Sequence, residues 1–422
     1  MKKTLFLLAA LWLPALTAGA QEPLQWRGPA RDGHYPGTGL LKTWPDNGPA
    51  LAWSCTGIGK GYSTAVSDGI TTWVTGMKDT LDYLSAIGAG GKLLWQVPVG
   101  PSWNGTFPDT RCTPTVKDGS VYVISGRGTI GAFSAMDGTK QWSFDAAERF
   151  GAEPGEWGVC ESLLLSGDKV IYTPAGKKTT LVALDRKTGE TVWQSPSLSD
   201  TGAYVSPRLI THNGKEVIVT LTATYLLGVD PADGRILWKF DYASFQPEES
   251  LKVWPGAPKT NTVTPLYQDG NLYITGGYDH PGVNLRLSGD ESSVEVAWSD
   301  TALDCHHGGV VLLDGCIYGS NWLDNSRGNW CCIDWKTGKM NYQHKWFTKG
   351  SVITADNMLY IFEEKNGNVG LVRPDPNGFT LAGTFRLPEG KGPCWAHPSI
   401  YNGILYIRRG DALMAYDIRE KK

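Results

Sequence analysis

Seven segments of this 422-residue chain place a polar or aromatic side chain at the same point, just ahead of a short apolar run. Arg111 precedes CTPTV, Cys160-Glu161 precedes SLLL, Tyr204 precedes VSPRL and Asn261-Thr262 precedes VTPLY. His306-His307 precedes GGVVL, Lys349 precedes GSVI, and Trp395 and His397 flank the last run, PSIY. An eighth, earlier segment offers only Gly61 and Tyr62. The side-chain types set the chemistry. Arg111 and Lys349 could clamp a carboxylate, Arg through two parallel bonds. Glu161 could act as a general base, or hold a sugar hydroxyl or a cation. His306, His307 and His397 could move protons or ligate a metal. Tyr204, Trp395 and the nearby Trp103 could stack on a ring or a sugar face, with Asn261 adding hydrogen bonds. A core position would be apolar, so this register predicts a lined pocket. The competing assignment is a plug, with Glu161 salt-bridged to Arg111 and the histidines bonded to backbone. Metal ligands stay unassigned, because no zinc-type Cys/His spacing occurs.

A repeat must bring such distant segments to one level. Residues 183–193 read ALDRKTGETVW, and the frame returns as GVDPADGRILW at 228–238 and CIDWKTGKMNY at 332–342. Looser copies, SAIGAGGKLLW and AFSAMDGTKQW, lie at 85–95 and 132–142. Each predicts a strand end, an Asp-stabilised turn with Gly at its tight position, and a strand delivering a large aromatic.

The closing aromatics are Trp53, Trp95, Trp142, Trp193, Trp238, Trp298, Tyr342 and Phe385, spaced 42 to 60 residues apart. A four-stranded propeller blade takes roughly 40–50 residues, so each gap holds one blade. Hairpin patterns such as TPTVKDGSVYVISG (113–126) and TPLYQDGNLYITGG (264–277) keep the same frame. The chain's last repeat stops at Asp417 before any Gly turn, and its first begins at a bare strand, PALAWSC (49–55). Joined, they complete one repeat and close the ring. The expected fold is an all-β, eight-bladed propeller over 49–422, with residues 21–48 as an N-terminal strap.

Residues 1–20 carry Lys2-Lys3, an apolar run from Leu5 to Leu16 and Ala18-Gly19-Ala20, the pattern of a bacterial signal peptide. The expectation is a periplasmic or secreted protein without a transmembrane segment. No Cys stands at the cleavage point, so lipid anchoring is not indicated. The formal charge is −3, and −5 without Lys2 and Lys3, with no basic run to hold nucleic acid. Asn104-Gly105-Thr106 matches a glycosylation sequon and is read as accidental beside a bacterial-type signal. Eight cysteines are compatible with disulfides in an oxidising compartment, and spacing does not assign the pairs. Cys331-Cys332 could form a vicinal bond. The restrictive geometry of such a bond favours the alternative, opposite faces of one strand.

The A-x-D-x-x-T-G-x-x-x-W frame, clearest from Ala183 to Trp193, resembles the tryptophan-docking motif of quinoprotein dehydrogenases. From about Trp53 to Asp417 the chain is similar to the PQQ-like eight-bladed propeller superfamily, and most similar to uncharacterised secreted members. The resemblance implies three functions. One is an axial pocket for a small polar ligand (sugar, alcohol or organic anion), with or without catalysis. Another is an oxidoreductase that acts on alcohols or sugars with pyrroloquinoline quinone (PQQ) and Ca²⁺. The last is a non-enzymatic envelope scaffold with protein partners. The chain has little room for the dehydrogenases' long insertions. Their calcium ligands find no residue-by-residue match here, so the small-molecule pocket is the favoured expectation and the cofactor is left open. Fold alone does not decide among these.

Overall fold

A computed structural model describes residues 22–245 and 259–421 of the chain. The signal-peptide segment lies outside the described residues. Among those described, the strands form eight four-stranded antiparallel sheets arranged in a ring. Blades 1 to 4 open with the innermost strands Val66–Ser67, Thr115–Lys117, Leu164–Ser166 and Arg208–His212. Blades 5 to 8 open with Leu266–Gln268, Val311–Leu313, Gly350–Ala355 and Ser399–Tyr401. Strands follow chain order outward in blades 1 to 7. In blade 8 the outermost strand is Ala50–Cys55, paired antiparallel with Ala412–Asp417, so the two ends of the ring share one sheet. This closure ties the two chain ends together and leaves each blade with short edges only.

The repeated turn holds blade to blade. The indoles of Trp95, Trp142, Trp193 and Trp298 lie over Gly138, Gly189, Gly234 and Gly338 of the following blade. A Cβ on any of those glycines would stand 2.3–2.7 Å from the ring. All four glycines have positive φ, between 69° and 78°, so both the space and the backbone demand glycine. Each indole N–H donates to a carbonyl of the same turn at 2.9–3.1 Å. Asp185 and Asp334 tie their turns by accepting backbone N–H groups two and three residues on. The eighth turn is split between the chain ends. Gly48, with φ 78°, sits under Phe385 of blade 7, where a Cβ would be 2.5 Å from the ring. The N-terminal segment thus completes the motif that stops at Asp417.

Hydroxyls ahead of the inner strands link neighbouring blades in series. The Thr64 N–H donates to Thr113 Oγ1 (2.9 Å), the Thr113 N–H to Ser162 Oγ (3.1 Å) and the Ser162 N–H to Ser206 Oγ (2.9 Å). Thr264 Oγ1 continues to the Ser206 carbonyl at 2.8 Å. This girdle fixes the height at which the candidate residues enter the channel.

The N-terminal segment crosses one end of that channel. Leu24 exchanges two backbone hydrogen bonds with Val116 of blade 2. Arg31 donates to the carbonyls of Ser162 (2.8 Å) and Pro207 (2.9 Å), at blades 3 and 4, and Asp32 pairs with Arg208 at 3.2 Å. On the opposite side, Arg27 donates to the carbonyls of Val310 (2.6 Å) and Val352 (3.1 Å), at blades 6 and 7. Both guanidiniums are buried, and burial lowers their pKa, to about 10 for Arg27 and about 9 for Arg31. Spread over several carbonyls, each cation keeps strong acceptors in place of water.

Candidate functional site

An axial cavity of about 300 Å³ lies above this crossing, and Trp26 of the N-terminal segment lines it. Seven of the ten sequence-predicted residues also line it: Arg111, Tyr204, His306, His307, Lys349, Trp395 and His397. Glu161, Asn261 and Trp103 do not. Glu161 lies between Cys160 and Ser162, both of which face the cavity, and Asn261 lies between Thr260 and Thr262, which do the same. Extended backbone sends alternate side chains to opposite sides, so a shift of one residue turns each away. The Glu161 carboxylate accepts the Thr173 N–H at 3.2 Å. Its burial raises its pKa to about 8, against the charge of Arg31. The Asn261 amide donates to the carbonyls of Thr222 (2.9 Å) and Ala223 (3.0 Å), holding the adjoining loop. Trp103 folds over its own loop, with its N–H on the Thr106 carbonyl at 3.1 Å and Arg127 above its ring. The competing plug, a Glu161–Arg111 pair, is therefore not formed. Arg27 and Arg31 floor the channel instead.

Aromatic rings dominate the wall. Trp395 lies 4.8 Å from Tyr62, 5.8 Å from Phe107 and 5.4 Å from His307, between ring centroids. Tyr204 packs against Trp157 at 5.2 Å, and Tyr278 against His306 at 4.7 Å. Arg111 stands 5.8 Å over the Tyr62 ring, with its guanidinium donating to the Asp109 (3.0 Å) and Phe107 carbonyls of its own loop. Opposite, Lys349 is paired with Glu364, and His307 Nε2 lies 3.5 Å from the other Glu364 oxygen. Burial raises the Glu364 pKa, and the Lys349 charge opposes that rise. Glu364 follows the second strand of blade 7, Met358–Glu363, so an inspection of inner-strand starts misses it. Its neighbour Glu363 caps the turn there, accepting the Asn368 amide at 2.9 Å.

The three histidines divide by partner. His397 receives Arg27 Nη1 on Nδ1 at 2.9 Å and donates from Nε2 to the His307 carbonyl at 2.8 Å. Both nitrogens are engaged, the ring is neutral, and burial pushes its pKa down to about 3. His306 is lowered to about 3 by burial, and His307 is held well below the ordinary range for the same reason. His306 Nδ1 is buried without a hydrogen-bond partner. Neutral His306 offers Nδ1 as a hydrogen-bond acceptor to a bound hydroxyl.

The cavity does not fit a quinone held by a hard cation. Ca²⁺ takes six to eight oxygen ligands. Among the described residues Glu364 is the one carboxylate lining the cavity, and Lys349 already neutralises it. Among the described residues no group of three or more His, Cys, Asp or Glu side chains is placed to hold a metal ion. All eight cysteines are free thiols. Cys331 and Cys332 pack into separate cores, Cys331 with Tyr273 and Leu303, Cys332 with Val311 and Trp346. The strand Trp330–Asp334 therefore sends them to opposite faces.

Comparison with known proteins agrees with the architecture. Burkholderia pseudomallei outer membrane protein assembly factor BamB is 31% identical over 198 residues, 45% of this chain and 48% of that protein. Pseudomonas putida quinoprotein alcohol dehydrogenase PedH is 27% identical over 204 residues, 42% of this chain and 32% of that enzyme. The matches span less than half of either relative. Among solved structures, BamB from Moraxella catarrhalis superposes with a TM-score of 0.60 at 14% identity, covering 87% of this chain and 99% of that one. A europium-containing methanol dehydrogenase superposes with a TM-score of 0.64 at 13% identity, covering 92% and 90%. At such identities the likeness is one of fold. No helix of the described residues is long and apolar enough to cross a membrane. A family model described as outer membrane protein assembly factor BamB matches residues 45–153 and 80–344, and on that match the chain belongs to this family of PQQ-like propellers.

Proposed function

We propose that this protein is an envelope propeller that binds a small polar ligand in its axial cavity without a quinone cofactor. The observation that carries the reading is the convergence of Trp395, Tyr62, Tyr204 and Arg111 on one cavity floored by Trp26. Concave, ring-lined sites with a few convergent polar groups are the usual form of a small-molecule site. Thermal-shift screening of sugars, alcohols and organic acids tests it, with Trp395→Ala as the control. At least one compound is expected to raise the melting temperature of the native protein and not of the variant. No shift across the panel would refute the reading.

A second reading, an envelope assembly scaffold, draws on the family description and the partial match to the Burkholderia protein. Cross-linking in intact envelopes tests it. A β-barrel assembly partner captured in the native protein would support it, and a cross-linking pattern of unrelated abundant proteins would count against it. Export itself is part of the proposal. Cleavage after Ala20 predicts a mature N terminus at Gln21, which N-terminal analysis of native protein checks.

A further inference from the structure

Arg111, Trp395 and Glu364 form one arc of the cavity wall. His307 bridges Glu364 (3.5 Å) and Trp395 (5.4 Å), and Tyr62 bridges Trp395 (4.8 Å) and Arg111 (5.8 Å). At one end is a cation in excess. Arg111 spends two of its five N–H groups on loop carbonyls and makes no salt bridge among the described residues. At the other end are two buried polar atoms without a hydrogen bond, Glu364 Oε2, which has only His307 Nε2 at 3.5 Å, and His306 Nδ1. Buried polar atoms without partners are costly, and a ligand that supplies them gains that energy. Between the ends lie rings tilted 50–65° to one another. A flat ligand sandwiched between two rings needs their faces parallel, which these rings do not offer. Tilted rings instead make a cup for the C–H face of a puckered ring.

Building on the ligand-binding reading above, we propose that the ligand is an acidic sugar. Its ring lies against Trp395 and Tyr62, its carboxylate faces Arg111, and its hydroxyls donate to Glu364 and His306. A carboxylate alone would satisfy Arg111 and leave Glu364 Oε2 bare. A neutral sugar would do the reverse. A hexuronate supplies both ends.

Calorimetric titration with D-glucuronate, D-galacturonate, D-glucose, D-galactose and benzoate tests this. Each uronate is expected to bind about tenfold or more tightly than its neutral counterpart. Arg111→Ala should bring the pair together by weakening the uronate alone, with Arg111→Lys intermediate, and Glu364→Gln should weaken both sugars. Melting curves of each variant establish that it is folded. Neutral sugars binding as tightly as uronates, benzoate binding in their place, or a uronate preference that survives Arg111→Ala would each overturn the proposal. If an uncharged alcohol binds in a Trp395-dependent manner while both uronates fail, the acidic-sugar proposal falls and the ligand-binding reading stands. If nothing in the wider screen binds, that reading falls as well.

Discussion

Arg27 donates to Nδ1 of His397 at 2.9 Å, joining the segment that crosses the channel to the eighth blade. The same guanidinium holds the Val310 and Val352 carbonyls, so one side chain ties the floor to three blades. Arg27→Met would leave these acceptors bare in a buried site. The expected loss is about 2–4 kcal/mol in denaturant unfolding, since each unmet buried acceptor costs about 1–3 kcal/mol and the site relaxes in part. Residues 22–35 should also become sensitive to protease. Native-like protection of that segment would contradict its assignment as the cavity floor.

Gly234→Ala probes the docking turns. Its φ is 78°, and a Cβ would stand 2.3 Å from Trp193. Strain and overpacking together predict a loss of about 2–4 kcal/mol, read as a lower urea midpoint. The exposed turn glycine Gly214 also has positive φ but nothing within 4 Å, so Gly214→Ala should cost only about 1 kcal/mol.

Stability should fall on both sides of a mildly acidic window, where the two sets of groups oppose one another. Burial lowers His280 to about 4 and His397 to about 3 in the folded protein. The unfolded chain protonates them near 6.5, so it binds more protons and stability is lost as pH drops below that value. Glu161 and Asp304 act in the opposite sense. Burial raises both to about 8, so the unfolded chain releases their protons first and stability is lost as pH rises from about 4.5 towards 8. Urea unfolding should show Glu161→Gln gaining on the native protein at pH 8 relative to pH 5. An equal difference at both pH values would contradict a buried, neutral Glu161.

Adding PQQ and Ca²⁺ is expected to give no cofactor-dependent dye reduction with alcohols or sugars. Among the described residues the cavity offers a single carboxylate, already paired with Lys349, where a hard cation needs several oxygens. Turnover that requires both additions and disappears in Glu364→Gln would reverse this conclusion.

The ring was legible in the sequence because its physics repeats. Gly189 under Trp142 and Gly234 under Trp193 leave the same Asp–Gly–Trp spacing in the chain. Gly48 was not legible, because its turn is cut by the chain ends and PDNGPALAW carries one extra residue before Trp53. The cavity lining was legible to within one residue. Tyr204 and Lys349 line the cavity, while Glu161 and Asn261 are each turned from it by a single step of strand alternation. Glu364 escaped because it lies after a second strand. Arg27 and Arg31 escaped because QWRGPARDG reads as a strap against the propeller without showing which of its side chains enter the channel, until its long-range carbonyl partners are known.

The central claim is that the axial cavity binds a small polar ligand against Trp395. Isothermal titration of native protein and Trp395→Ala, using the compounds that pass the thermal-shift screen, tests it most directly. The account predicts one site per chain in the native protein. It also predicts a loss of at least about 1 kcal/mol in the variant, the scale of one aromatic contact in a small site. Binding that is unchanged in a folded Trp395→Ala, or no binding by any compound, would contradict it.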